Sequence, residues 1–428
     1  MKNFVVCGII LLLGLLGPQR DLESRFEPVW SLGLLMLLAF ICQQVAKNLR
    51  LPALTGWIVA GLILGPSGLQ IVPPVHQFAS LHFIHTLAAA WIGFLVGAGL
   101  FWPRGQKRGR IPVSVGLLTL ATFLLTAAAI GSLTGLPGWL AILLGALASL
   151  WGPFTAWRSQ QHEDHALLLS VVGSGFSLIV LSAVLVFLHL QDFLPAQALN
   201  LVGRLWLSLL AGALGAEILW RLKVFAAEDS ILLVGVCSSF ALAALLLIHL
   251  QLYALPFGLA AGLVLVWHKS QTRRVQHILE WTHSMAFSIF FGLLGATIDL
   301  RILWSPVAGF YQILLLQILV LILLRGLGPT FGYSLLTPAT GPQKHIGWFL
   351  LPRGALLFEL VYHPRNSLVD LLSGSPARLL QQVVLGDILA HTLIFSIIAN
   401  TVWRLMRPSE QPVPEEREEP DSSPAPTA

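Results

Sequence analysis

The sequence is short of charge. Only 11% of its 428 residues are Asp, Glu, Lys or Arg, against about 25% in a typical soluble chain. With 56% hydrophobic residues and a mean hydropathy of +0.80, there is too little polar surface to face water on all sides. A soluble protein is excluded, and the chain belongs in a lipid bilayer. Cysteine is nearly absent too. Cys7, Cys42 and Cys237 stand in apolar runs, with no CxxC pair and no histidine at ligand spacing, which excludes a disulfide framework and a zinc cluster. They read as small packing residues. Nucleotide loops and soluble domains are missing as well, so neither an enzyme, a cofactor nor a metal centre is expected. The formal charge of +5 points to basic loops at one membrane face rather than to nucleic acid.

What the chain has in abundance is apolar runs of about 20 residues, long enough to cross a bilayer as helices. They fall near 28–46, 53–72, 80–101, 111–132, 137–156, 166–190, 198–220, 230–249, 253–268, 282–298, 305–325, 345–362 and 380–404. The expected fold is therefore an all-α polytopic membrane protein of about thirteen transmembrane helices. Residues 1–27 hold a shorter apolar run that suits a signal sequence or an extra N-terminal helix equally. Loop charge alternates: Lys47, Arg104, Lys107, Arg108, Arg158, Arg221, Lys269, Arg273, Arg274, Lys344 and Arg404 share one side, and Asp21, Asp192, Asp299 and Asp370 mark the other. The positive-inside rule makes the basic side and the C-terminus cytoplasmic. Residues 406–428, rich in Pro, Glu and Ser, cannot bury a core and are expected to be a disordered cytoplasmic tail.

Two internal correspondences stand out. LVGAGL at 95–100 matches LLGATI at 293–298, each near the end of its span, and the two spans are seven apart. An odd separation reverses direction through the membrane, which is the pattern of an inverted repeat. Two spans also seven apart carry backbone breakers at their centres. LWGPFT includes Trp151, Gly152 and Pro153, and LLPRGAL includes Pro352, Arg353 and Gly354. Broken helices survive at membrane depth only where they line a cavity or meet each other. A crossed pair of discontinuous helices is the expectation.

Ionisable residues within apolar spans are costly and mark function. Arg325, Arg353, Glu359 and Asp387, with His391 one turn after it, are the candidates. Glu217 stands four residues before Arg221, the spacing of a helix-end pair. The run VVGSGFSL, 171–178, offers Ser174 and Ser177 as uncharged oxygen ligands in the middle of a long span.

Several of these stretches together resemble the cation:proton antiporter (sodium/proton exchanger) superfamily: LRLPALTGWIVAGLILGPSGL at 49–69, FFGLLGATIDL at 290–300 and PRGALL at 352–357. The resemblance covers about residues 28–405. It implies inverted repeats with two crossed unwound helices, a dimerisation bundle beside a moving core bundle, a homodimer in a bacterial inner membrane, and exchange of Na⁺ or K⁺ for protons. The chain departs from the pattern where relatives carry acids. A Thr-Asp-Pro-like motif is replaced by Trp151-Gly152-Pro153. GSGFSL fits Glu-Ser-Gly-Phe-Asn-Asp with Gly173, Ser177 and Leu178 in place of the glutamate, asparagine and aspartate, while a paired-aspartate alignment lands on Gly175 and Phe176. Antiport needs a carboxylate for which cation and proton compete, and leucine supplies none. The expectation is a secondary transporter with a degenerate ion site, its carboxylate moved to Asp387 or Glu359. The alternatives are transport of an anion or neutral solute, or a non-transporting assembly or regulatory protein of the same shape.

Overall fold

The computed structural model describes residues 27–49, 51, 53–73, 78–98, 110–151, 163–222, 229–268, 272–327, 357, 359–360, 368–372, 374–390, 397 and 401. All secondary structure among them is helical, as a chain with no water for its backbone requires. The helices are α1 Glu27–Asn48, α2 Ala53–Leu64, α3 Ala79–Ala98, α4 Arg110–Thr134, α5 Gly138–Ser149, α6 Glu163–Leu190, α7 Gln197–Arg221, α8 Asp229–Leu250, α9 Ala254–Trp267, α10 Thr272–Thr297, α11 Phe310–Leu321 and α12 Gly374–Leu389. A short turn of helix, Arg301–Trp304, precedes α11, and a π-helical turn, Ile322–Leu327, follows it. Large apolar side chains such as Leu117 and Leu124 on α4, Leu210 and Leu214 on α7 and Leu242 and Leu245 on α8 are exposed. That outward band faces lipid, and the protein is integral to the membrane.

Three boundaries correct the expected spans. The second helix ends at Leu64, not at 72. Gly65-Pro66 stops it, and the chain folds back so that the amides of Ile71 and Val72 both donate to the Leu64 carbonyl. The tenth begins at Thr272, about ten residues early, because the polar TRRVQHILEW stretch continues the same helix beyond the apolar run. The fifth stops at Ser149, and Leu150 is already extended, with φ −60° and ψ 138°. That is the near side of the expected break. Gly152, Pro153, Pro352, Arg353, Gly354 and His391, residues 1–26 and the tail lie outside the described residues.

The helices pack as two bundles. The first holds α1, α2, α3, α7, α8, α9 and α10, and the second holds α4, α5, α6, α11 and α12. Between them the principal helix contact is α6 on its chain neighbour α7. Helix partners also obey a rule. α2 packs on α10 as α9 packs on α3, and α1 packs on α10 as α8 packs on α3. Moving seven spans along the chain turns each pair into the next, and α4 on α6 becomes α11 on α12 with the 345–362 span between them. The inverted repeat is thus written in the packing, with α7 joining the halves.

Glycine makes this possible. A β-carbon at Gly61 of α2 would fall 2.1 Å from the Gly292 carbonyl oxygen of α10, and one at Gly258 of α9 would fall 1.9 Å from the Ala90 oxygen of α3. The LVGAGL and LLGATI glycines play matching parts. A β-carbon at Gly97 would lie 2.3 Å from the Leu259 oxygen, and one at Gly295 would lie 2.3 Å from the Ile58 oxygen. In lipid, where apolar burial gives helices no net drive to associate, such main-chain approach supplies the packing energy.

Candidate ion site

Most of the buried polar side chains among the described residues lie in the second bundle. Thr119, Thr122 and Thr126 line one stripe of α4; Ser149 ends α5; Ser174, Ser177 and Ser182 lie on α6; Gln317 is on α11; Gln382 and Asp387 are on α12. Local geometry follows from the end of α5. Just past the end of α5, the Trp151 carbonyl accepts from Ser174 Oγ at 3.4 Å. Ser177 Oγ donates to the Ser174 carbonyl at 2.9 Å. Both serines are buried, so the two uncharged ligand candidates do meet at the rim of the broken helix.

Trp151 meets α6 at a second point. Gly173 lies flat against the Trp151 indole, and a β-carbon there would be 2.3 Å from Cδ2. Trp151 is among the most deeply buried large side chains. The ring fills the volume that a side chain at 173 would need. Leu178 is also buried.

Asp387 is the aspartate that is buried among the described residues, at 3% exposure. Its neighbour Gly386 packs on Leu314 and Phe310 of α11, which fixes α12 against the second bundle. Glu359, 6% exposed, sits elsewhere. Its carboxylate accepts hydrogen bonds from the amides of Ala254 and Leu255 at the start of α9, in the first bundle. Arg325 has its backbone in the π-helical turn after α11, a distortion that often marks functional positions. Glu217 makes the expected helix-end pair with Arg221 at 2.9 Å and also meets His268 Nε2 at 2.8 Å, so it belongs to the rim of the first bundle.

Sequence reasoning missed three groups. Gln317 Nε2 donates to the Leu144 carbonyl of α5 at 3.4 Å. Gln382 uses its whole amide, donating to the Ile302 and Ser305 carbonyls at 2.7 and 3.0 Å and accepting from the Val307 amide at 2.8 Å. The threonine stripe recurs at positions 119, 122 and 126. The signal was present: glutamines inside apolar runs and threonines at helical spacing are polar groups that need a reason, even without charge.

Two bundles, paired inverted spans and a broken helix facing a buried polar core are the frame of an ion exchanger. The pattern of the transmembrane sodium/hydrogen exchanger family matches residues 33–405. The chain belongs to that family. Among curated exchangers it is similar to the Na(+)/H(+) antiporter NhaS5 of Synechocystis sp., with 26% identity over 177 residues, covering 40% of this chain and 25% of that one. The chain thus spans a quarter of the length of that relative. Among solved exchangers it is similar to the sodium proton antiporter MjNhaP1 from Methanocaldococcus jannaschii at pH 8, with a TM-score of 0.58 and 19% identity, covering 89% of this chain and 98% of that one. The likeness extends the exchanger fold over nearly the whole chain.

Proposed function

We propose that the protein is a secondary transporter exchanging a monovalent cation, Na⁺ or K⁺, for protons, with Asp387 as the exchanging carboxylate. The observation that supports it most is the position of Asp387: a buried acid in the polar bundle, on the helix that the inverted repeat pairs with α6. An alkali ion stripped of water needs anionic oxygen, and a proton on the same carboxylate cancels the attraction, so one acid couples two fluxes. Hydroxyls and freed carbonyls such as those of Ser174, Ser177 and Trp151 complete such a site without titrating. Arg325 and Arg353 supply positive charge that balances the carboxylate when no cation is bound. The family reading supports a homodimer, and the basic loops support a cytoplasmic C-terminus, with a bacterial inner membrane as the proposed setting.

A specific observation favours a second reading. The Trp151 indole on Gly173 occupies the region where relatives carry acids, which suits an exchanger-shaped protein that transports an anion or neutral solute, or one that regulates or assembles without transporting. One assay separates the two. Protein in vesicles with an internal pH dye is given Na⁺, K⁺ or Li⁺ pulses. Antiport predicts a cation-triggered pH change that Asp387→Asn abolishes; no response to any alkali ion in the intact protein rejects it in favour of the second reading.

A further inference from the structure

The start of α9 is buried, at Tyr253, Ala254 and Leu255, and there each free amide needs a partner. The helix is short, about 21 Å at 1.5 Å per residue, and its N-cap residue Tyr253 makes no side-chain cap. The partners come from distant chain. The Tyr253 amide donates to Ser208 Oγ of α7 at 2.8 Å. The Ala254 amide donates to Glu359 Oε1, 105 residues away. The Leu255 amide reaches Oε2 at 3.0 Å and Oε1 at 3.3 Å. Pro256 has no amide hydrogen, a favoured choice in a first helical turn, and Phe257 bonds back to the Tyr253 carbonyl at 3.4 Å. Arg204 of α7 secures the preceding turn by donating to Gln251 Oε1 at 2.6 Å.

The donors and acceptors divide by bundle. Ser208 and Arg204 belong to α7, in the same bundle as α9. Glu359 belongs to the segment between α11 and α12, both of the other bundle. We propose that Glu359 and the first turn of α9 form a clasp between the two bundles, and that its release opens a path from that membrane face to the buried centre around Leu178 and Asp387. A carboxylate on a helix N-terminus gains from charge and dipole together, and more so away from water. A second polar tie between the two bundles among the described residues, Trp206 Nε1 to Ser182 Oγ at 3.1 Å, starts from a tryptophan that is 44% exposed. Glu359 therefore makes the buried one. Glutamine is no substitute, since it keeps one acceptor and turns an amide donor toward an amide donor. The clasp rests on hydrogen bonds alone; that its path serves ion exchange rests on the proposed function.

Thiol labelling tests it without any transport. In protein with Cys7, Cys42 and Cys237 replaced by alanine, Leu178→Cys and Leu252→Cys serve as separate reporters for a membrane-impermeant thiol reagent, added at the face where α9 begins. Both thiols label slowly while Glu359 is intact. Glu359→Ala accelerates Leu178→Cys about tenfold or more, the scale of a lost charged hydrogen bond, and Glu359→Gln moves it the same way by less. An unchanged Leu178→Cys rate overturns the clasp, and a rise at Leu252→Cys alone would mean that only the first turn of α9 frays. Should Glu359→Ala fail to purify as a single species, Glu359→Gln answers the same question. Failure of antiport in vesicles leaves the labelling result standing.

Discussion

In the first bundle the closest helix approaches run from glycine to main chain: Gly61 and Gly295 between α2 and α10, Gly93, Gly97, Gly258 and Gly262 between α3 and α9, and Gly212 of α7 on the Phe257 carbonyl. In the second bundle a β-carbon at Gly145 of α5 would also approach main chain, 2.9 Å from the Phe123 oxygen of α4, but Gly116, Gly173 and Gly386 meet side chains, the rings of Phe176 and Trp151 and the branch of Leu314. Buried polarity leans the same way: among the described residues both buried glutamines, Asp387 and most of the buried hydroxyls lie in the second bundle, with Ser31, Thr55, Thr86 and Ser208 in the first. Main chain against main chain leaves a contact little freedom to rearrange, whereas rings and rotamers have several discrete positions. The comparison teaches that one half of this molecule is built as a frame and the other as the place where chemistry and rearrangement are tolerated.

Substitutions break the contrast most sharply at the frame. Gly258→Ala places a methyl 1.9 Å from the Ala90 oxygen, so α3 and α9 must part. The cost is expected at or beyond the ~1–3 kcal/mol usual for overpacking, and detergent-purified protein should show a large loss of folded yield and thermal stability. Gln382→Ala comes next. It removes the partner of the Val307 amide and of the Ile302 and Ser305 carbonyls; these groups are only partly buried, so the loss is expected at about 1 kcal/mol, the low end for a polar group left without a partner, and thermal unfolding should register it. Gly116→Ala meets only the edge of the Phe176 ring, at 3.1 Å. A ring can tilt, so the melting temperature should shift little, by no more than ~1 kcal/mol in stability. If Gly116→Ala proves as damaging as Gly258→Ala, the distinction between frame and adjustable bundle fails.

Much of this was legible from residues alone, for physical reasons. Span positions follow from bilayer thickness, and the Gly97–Gly295 correspondence foretold the inverted repeat because both glycines solve the same packing problem. The break after α5 announced itself through Gly152 and Pro153, and the chain does leave the helix at Leu150. The early stop at Leu64 was foreshadowed by Gly65-Pro66 but masked by the apolar residues after it. What one-dimensional reading could not supply was long-range pairing. Nothing near Glu359 in sequence says that its carboxylate caps a helix 105 residues earlier, and nothing near Gly173 says that Trp151 lies on it.

The central claim is that a single acid in the adjustable bundle trades a cation for a proton. The most direct measurement is proton release on cation binding: purified protein in weakly buffered detergent solution is titrated with Na⁺ or K⁺ while the pH is recorded. The account predicts that saturating cation displaces about one proton per chain near the pH where the site is half-protonated, and that Asp387→Asn, folded as well as the parent, displaces none. Undiminished proton release from Asp387→Asn would contradict it.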